Sequence, residues 1–194
     1  LCVTALRRLT GQKDLIIGSS TGSRERVELE TMVGPFVNVL ALRFDLADDP
    51  SFEALLQRAR NTVLDSHAHA DAPFEMIVER VNPARSFDHT PLFQVAVILH
   101  NGEGAQDSAA IEGGGSMYDM TWYAREQHGQ LEMSLEYRSD LYSDRAIERV
   151  LTSLKALAHS AVADRSQPVS RLPLAAPAEV ARAMAALNPT PPPL

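Results

Sequence analysis

The sequence predicts an α/β domain, because it contains both segments with strand patterns and segments whose apolar residues recur at helical spacing. One strand runs to Leu46 and a nearly continuous apolar strand runs from Leu92 to His100. Amphipathic helices are expected over about 51–70 and from Ser143 onward. With 194 residues, 45% of them hydrophobic, the chain is long enough to bury one sizeable core, as one domain or at most two small ones.

The N-terminal part predicts a helix followed by two strands. Residues 1–10 have the pattern of a helix that ends near Gly11, a common C-terminal signal. Leu15 to Gly18 is a short buried strand, and residues 21–26 form a polar loop without the spacing of a phosphate-binding loop. The next strand carries the polar residue Asn38. An unpaired buried amide costs about 1–3 kcal/mol, so this side chain either pairs with a neighbouring loop or faces a solvent channel.

Two helices are expected in the middle of the chain. Asp48-Asp49-Pro50-Ser51 supplies an N-cap and a first-turn proline for the first helix. Asp71 is expected to cap the second helix, Pro73 to take its first helical position, Phe74 to fill the core between the two helices, and Asn82-Pro83 to end it. The face of the first helix that should pack inward consists of Phe52, Leu55, Leu56, Ala59, Val63 and Ala70.

The second half predicts more sheet. The strand from Leu92 to His100 is apolar enough to suggest a sheet covered on both faces. Residues 101–115 are glycine-rich, which predicts a mobile loop. Met117 to Arg125 and Leu131 to Arg138 predict a hairpin around His128-Gly129 with one face in contact with water.

A last amphipathic helix begins at Ser143 or Asp144 and should close the core. After Ser166 the composition turns to proline and alanine, which is typical of a linker. The chain has no initiator methionine and begins inside a helical pattern, so we expect it to be a piece of a longer protein.

Composition excludes several classes of function. The net charge is -7 and the basic residues are dispersed, so no electrostatic footprint for nucleic acid is present. No apolar run approaches the ~20 residues of a membrane span, and Cys2, as the single cysteine, cannot form an internal disulfide. A reducing cytoplasm is consistent with both observations.

Histidine-containing motifs do not form a recognisable catalytic or metal site in the sequence. His67 and His69 point some 200° apart on a helix, so no metal is expected between them and Asp71. No G-x-S-x-G elbow occurs, so no serine nucleophile is indicated.

Three segments resemble, in order, motifs of condensation domains in nonribosomal peptide synthetases. Gly34 to Arg43 resembles G-x-F-V-N-T-x-x-x-R, and Ser66 to Glu75 resembles H-Q-D-x-P-F-E, with Ala70 where the family usually has Gln. Arg85 to Gln94 resembles R-x-x-S-x-x-P-L-F-Q, and Arg7 to Asp14 matches the lead-in. The chain is identified on these motifs as a member of the family along its whole length.

The resemblance implies one lobe of a chloramphenicol acetyltransferase-like fold, a two-layer sandwich in which a mixed sheet packs against helices. The family motif H-H-x-x-x-D-G, whose second histidine is taken as the base or orienting group, is missing from the sequence. Residues 1–166 are therefore interpreted as the C-terminal, acceptor-side lobe, and 167–194 as a Pro/Ala-rich linker toward an adenylation domain. No catalytic residue is expected in this chain, which should be inactive alone.

The same resemblance implies amide bond formation in a tunnel between two lobes. Donor and acceptor aminoacyl or peptidyl thioesters would arrive on carrier proteins through phosphopantetheine, so no cofactor is expected to bind this chain directly. The implied partners are the N-terminal lobe, peptidyl carrier proteins and an adjacent adenylation domain, in cytoplasmic secondary metabolism such as antibiotic biosynthesis.

Asn38, with Phe36 and Gly34, is expected to line the tunnel. Asp119 matches an F-D-L segment of the family and is either a salt-bridge partner or part of the tunnel floor. The turn before the strand at Leu92 is expected to be stabilised by hydrogen bonds and ion pairs of Arg85, Asp88 and His89, and these residues are not expected to take part in chemistry. The residues interpreted as structural members of the motifs are Arg43, Asp71, Pro73, Phe74, Glu75, Arg85, His89, Pro91 and Asp119.

Three alternatives remain open at this stage. Epimerisation domains share the architecture but carry different residues where Phe36-Val37-Asn38 stands. Cyclisation domains have their diagnostic motif in the missing lobe. A non-catalytic module that docks carrier proteins or tailoring enzymes could keep the same fold.

Overall fold

A computed structural model describes residues 1–22, 28, 31–34, 36–84, 89–100 and 116–187. The predicted loop beyond Gly22, the turn at Arg85 and the glycine-rich segment at 101–115 lie outside the described residues, as does the end of the predicted linker after Leu187.

The described part of the chain contains both helices and strands, as expected of the α/β class. The helices are α1 (Cys2–Thr10), α2 (Phe52–Ala68), α3 (Phe74–Val81), α4 (Asp144–Ala163) and α5 (Pro177–Leu187), with a short 3-10 helix at Val169–Arg171. The strands are β1 (Asp14–Gly22), β2 (Val37–Asp45), β3 (Val95–His100), β4 (Met120–Gln127) and β5 (Gln130–Tyr137).

The described strands form one mixed sheet in the order β2-β1-β3-β4-β5. β1 pairs with β2 in antiparallel orientation and with β3 in parallel orientation. β4 is parallel to β3 and forms an antiparallel hairpin with β5. β1 is longer than expected, since its pairing with β2 continues through Thr21 opposite Asn38 to Gly22 opposite Val37. Thr21 and Gly22 therefore belong to a strand and not to the predicted loop.

The helix boundaries follow local capping chemistry. α1 ends at Gly11, which has φ 75°, as its pattern predicts. α2 is capped by Ser51, whose hydroxyl accepts a hydrogen bond from the Ala54 N–H at 3.2 Å. Pro50 precedes this cap, so the prediction of a first-turn proline is wrong. α3 ends before Asn82, in the left-handed conformation at φ 48°, and the predicted stop at Asn82-Pro83 is confirmed.

Most buried apolar side chains of the described residues form two clusters where the sheet meets the helices. One joins β1 and β2 to α2, through Val3, Leu15, Ile17, Leu40, Leu42, Phe44, Leu46, Leu55, Ala70 and Val169. The other joins β4 to α1 and α4, through Ala5, Met120, Trp122, Ile147, Leu154, Leu157, Ala161 and Leu172. The expectation that the last helix closes the core is confirmed, with its N-cap at Ser143.

α2 buries a narrower face than its apolar residues predict. Leu55 is buried, whereas Leu56 and Val63 are 55% and 36% exposed. The reason is that α2 packs against β2, the edge strand of the sheet, and not against a broad sheet surface. The prediction that Leu56 and Val63 face inward is wrong.

The sheet is covered less completely than the apolar strand suggests. β3 starts at Val95 and not at Leu92, which has φ 70°. Leu99 in this strand is 58% exposed. The hairpin is confirmed around His128-Gly129, where both residues have positive φ. On the outer face of β5 the side chains of Glu132, Ser134 and Glu136 are exposed, which confirms the prediction that one face of the hairpin is in contact with water.

Residues after the predicted linker boundary pack into the body of the domain. Val169 and Leu172 are both 0% exposed and each belongs to one of the core clusters. The packed body therefore extends at least to Leu172, past the boundary that composition suggests at residue 166. Among the described helices, none combines the length and apolarity that a bilayer crossing requires.

Candidate functional site

The start of β2 brings Gly34, Phe36 and Asn38 to one end of the sheet. Gly34 is exposed, while Phe36 and Asn38 are half-buried. Strand alternation places Asn38 on the same face as Leu40 and Leu42, which is the face that packs under α2. These residues were expected to line a channel, and that role stays a prediction.

The amide of Asn38 is hydrogen-bonded to the turn that joins α2 to α3. Its Nδ2 donates to the carbonyl oxygens of Ala70 at 2.7 Å and Ala72 at 2.8 Å. Its Oδ1 accepts from the backbone N–H of Val39 at 2.9 Å and of Phe74 at 3.3 Å. The polar residue in the apolar strand thus has protein partners on both ends of its amide.

This arrangement corrects the predicted start of α3. Asp71 is exposed, Pro73 occupies the N-cap position and offers no side-chain hydrogen bond, and Phe74 is the first helical residue. Asn38 supplies the acceptor that Asp71 was predicted to supply, because β2 carries its carboxamide to within hydrogen-bond distance of the Phe74 N–H. Glu75 lies exposed in the first turn, where a negative charge is favourable.

Phe74 packs beside Phe93 and is half-buried, and its place between α2 and α3 stays a prediction. The two ring centroids are 5.7 Å apart, and Phe93 lies 5.2 Å from Tyr118. Phe93 is 1% exposed, and a Cβ on Gly18 would lie 2.1 Å from its ring. Sequence analysis missed Gly18; the available signal was a glycine inside a strand, which often marks a close approach.

The two histidines near this turn point to different partners. His67 Nδ1 lies 3.4 Å from the Thr21 hydroxyl, and His69 Nδ1 lies 2.8 Å from the Asp65 carbonyl oxygen. In the described part of the chain no three side chains of the metal-ligand types come together. The contacts of these histidines are therefore with a hydroxyl and the backbone.

Arg43, the arginine of the first motif, forms a bidentate ion pair with Asp14 on β1. Its Nε and Nη2 donate to the two carboxylate oxygens at 2.9 and 2.7 Å. This hydrogen bond and the charge of Arg43 hold the pKa of Asp14 below its usual value. Both side chains are more than half exposed, so the pair links two strands at the surface and contributes little to stability.

The third motif and Asp119 make local contacts. His89 Nδ1 lies 3.2 Å from the Thr90 carbonyl oxygen, the Thr90 hydroxyl donates to the Phe93 carbonyl oxygen, and Pro91 is exposed. Asp119 Oδ1 lies 3.5 Å from Arg138 Nη1 and forms an ion pair.

Tyr123 on β4 is a perturbed group that sequence analysis did not identify. Burial and then a 3.0 Å hydrogen bond from its hydroxyl to Glu136 raise its pKa to about 12. His100 stacks on its ring at 5.7 Å. No pattern in the sequence distinguishes Tyr123 from another strand tyrosine.

A shallow groove lies between β2 and α2, away from the start of β2. Its volume is about 320 Å³, and its lining consists of Arg43, Phe44, Asp45, Leu55, Arg58, Asn61, Thr62 and Asp65. Gly34, Phe36 and Asn38 are not part of this lining.

Comparison with known proteins identifies a family. The family model described as condensation domain matches residues 1–183. Phosphinothricin tripeptide synthetase PhsB from Streptomyces viridochromogenes is 37% identical over 196 residues, covering 95% of this chain and 16% of that protein. Surfactin synthase subunit 1 from Bacillus subtilis is 32% identical, covering 96% of this chain and 5% of that protein. The chain thus spans a sixth or less of the length of these relatives.

Solved structures agree on the fold. The four-domain nonribosomal peptide synthetase holo-AB3403, bound to AMP and glycine, superposes with a TM-score of 0.82 at 22% identity, covering 92% of this chain and 15% of that one. The X-domain from teicoplanin biosynthesis superposes with a TM-score of 0.76 at 26% identity, covering 88% of this chain and 42% of that one.

Proposed function

Because the chain belongs to the condensation domain family of nonribosomal peptide synthetases, we propose that it is the C-terminal, acceptor-side lobe of such a domain. The complete domain forms an amide bond between aminoacyl or peptidyl thioesters that carrier proteins deliver. The lobe contributes half of the wall around the reacting groups, and a partner lobe contributes the histidine motif.

One observation carries this proposal. The chain aligns over 88% of its own length with only 42% of the X-domain chain, and over 87% with 41% of a condensation domain from a polyketide synthase. Its length is therefore that of about half a domain. The order of the three motifs supports the C-terminal half, and the sequence contains no adjacent pair of histidines.

The chemistry that such a lobe supports is positioning. Amine and thioester react when they are held in attack geometry, and fixed geometry corresponds to an effective molarity of about 10⁵–10⁸ M in well-oriented systems. We place the wall of the acceptor channel at the start of β2, around Gly34, Phe36 and Asn38, because these residues lie together at one end of the sheet. Phosphopantetheine enters as the tether of the carrier-bound substrate, and no residue of this lobe is assigned to bind a cofactor of its own.

The proposed partners follow from the same position in a synthetase. The N-terminal lobe completes the domain, peptidyl carrier proteins bring the thioesters, and the helix α5 leads toward an adenylation domain. The proposed location is the cytoplasm, where the carriers are loaded.

The test compares the complete domain with this lobe. The complete domain, with donor and acceptor carrier proteins loaded, is expected to give a carrier-bound amide product in intact-protein mass spectrometry. Residues 1–187 alone are expected to give no product above a control without enzyme. Product formed by the lobe alone would contradict the proposed division of the domain, and a complete domain without product would contradict the condensation reaction.

A docking module without catalysis is the second candidate. It is favoured by one observation: the X-domain of teicoplanin biosynthesis, solved in complex with OxyB, superposes on this chain with a TM-score of 0.76 at 24% identity. The same assay separates the two candidates. If the complete domain binds a tailoring enzyme in a pull-down but makes no amide, the docking function replaces the first proposal. An inverted α-carbon in the recovered aminoacyl group would instead indicate epimerisation.

A further inference from the structure

The carboxamide of Asn38 has no hydrogen-bonding capacity left for a substrate. A carboxamide has two N–H donors and a carbonyl oxygen that accepts two hydrogen bonds. Both donors are taken by Ala70 and Ala72, and both acceptor positions by Val39 and Phe74. A thioester carbonyl or an attacking amine would have to displace one of these backbone partners.

These contacts tie two distant parts of the chain together. Asn38 lies on the edge strand β2, and its partners Ala70, Ala72 and Phe74 lie 32, 34 and 36 residues later, in the turn between α2 and α3. The turn has no cap of its own, because Pro73 at the N-cap position has no side-chain hydrogen bond. Asn38 is the side chain that both holds this turn and starts α3.

We propose that Asn38 is a positioning residue: it clamps the turn at 69–73 and the start of α3 to the end of β2, and acts on the condensation site through this segment without touching substrate. The inference rests on the proposed function for its kinetic part, since it concerns the same end of the sheet. It changes the role expected of Asn38, from a channel-lining contact to the support of the channel wall.

The first experiment measures the clamp itself and does not require activity. In the complete domain, Asn38→Ala is expected to accelerate hydrogen exchange at least about 10-fold over residues 69–78, where the Phe74 N–H loses its acceptor. Asn38→Asp keeps the size of the side chain but has no N–H to donate to Ala70 and Ala72, so it should accelerate the same segment. The Ala54 N–H, bonded to Ser51, is the internal reference that should not change.

The matched control is Thr21→Val. Thr21 is the cross-strand neighbour of Asn38 on β1, and among the described residues its hydroxyl has one hydrogen-bond contact, to His67 at 3.4 Å. The substitution preserves shape at the same end of the sheet but leaves the clamp intact. Hydrogen exchange over residues 69–78 and the rate of condensation should both stay within about two-fold of the unsubstituted domain.

The second experiment separates positioning from stability and from substrate contact. Per folded molecule, Asn38→Ala is expected to lower kcat about 10-fold, because displacement of a supporting segment misaligns the reacting groups, while KM for either carrier changes less than about two-fold. Pro73→Gly loosens the same turn without altering Asn38, and should reproduce this pattern of lowered kcat with unchanged KM.

Each outcome decides the proposal. Faster exchange at 69–78 together with lowered kcat supports the clamp. Full kcat per folded molecule would reduce Asn38 to a purely structural role, and lost activity with unchanged exchange would make it a substrate contact; both overturn the proposal. If the unsubstituted complete domain makes no amide, the proposed function fails, while the exchange measurement still decides whether Asn38 clamps the turn.

Discussion

Asp49 and Ser170, 121 positions apart, are joined by two hydrogen bonds: the Ser170 backbone N–H and its hydroxyl donate to the two carboxylate oxygens of Asp49 at 3.0 and 2.6 Å. Beside them the Val169 N–H donates to the Pro50 carbonyl oxygen at 2.9 Å. These contacts anchor the segment after α4 to the corner between β2 and α2. They explain why a proline-containing stretch with the composition of a linker is part of the packed body.

This anchoring predicts that the body of the domain needs residues beyond 166. Leu172 is fully buried, so Leu172→Ala should lower the free energy of unfolding by about 2–5 kcal/mol in a urea titration. Leu187→Ala is the matched control, because Leu187 is 76% exposed and should change stability by less than about 0.5 kcal/mol. A domain that ends at Ser166 and still unfolds cooperatively with unchanged stability would show that the segment contributes nothing.

Gly18 predicts a second effect on stability. A methyl group there would lie 2.1 Å from the ring of Phe93, which is buried and contacts the rings of Phe74 and Tyr118. We expect Gly18→Ala to destabilise the domain by about 1–3 kcal/mol or more, because the rings have to move. Gly22→Ala at the end of the same strand is the control, since a Cβ at that position meets no atom of the described residues within 4 Å. Equal stability of the two variants would exclude the close packing of Phe93 over Gly18.

The Tyr123–Glu136 contact predicts a dependence on high pH. The pKa of Tyr123 is raised from 10.0 to about 12, first by burial and then by the hydrogen bond to Glu136. Its folded-state pKa exceeds the unfolded one, so the contribution of Tyr123 is complete below pH 10 and is lost as the pH rises from 10 to 12. In denaturant titrations the free energy of unfolding should fall between pH 10 and pH 12, and Tyr123→Phe should make this fall smaller.

A spectroscopic titration checks the cause of the Tyr123 shift. Glu136→Gln removes the negative charge but not the burial, so the pKa obtained from tyrosinate absorbance should fall yet remain above 10. The difference spectrum against Tyr123→Phe isolates this tyrosine from the other three in the chain. An unchanged pKa in Glu136→Gln would mean that the negative charge of Glu136 does not contribute to the shift.

Prediction from sequence succeeded where the signal is local. The end of α1 at Gly11 and the hairpin turn at His128-Gly129 follow from backbone conformations that these residues favour. It was less accurate for α2, where apolar spacing marks Leu56 and Val63 as inward-facing although both are exposed. Periodicity identifies an apolar face, but the extent of burial depends on what the helix packs against, which here is an edge strand.

The sequence by itself determined the α/β class, the type of most elements and, through three ordered motifs, the family. Only the tertiary structure decided the role of individual polar residues. Asn38, expected beside a channel, has its amide bonded to the turn at Ala70 and Ala72, and Asp71, expected as a cap, is exposed. The physical reason is that hydrogen-bond partners 32 or 121 residues apart are brought together by the packing of the whole chain, for which no local pattern carries a signal.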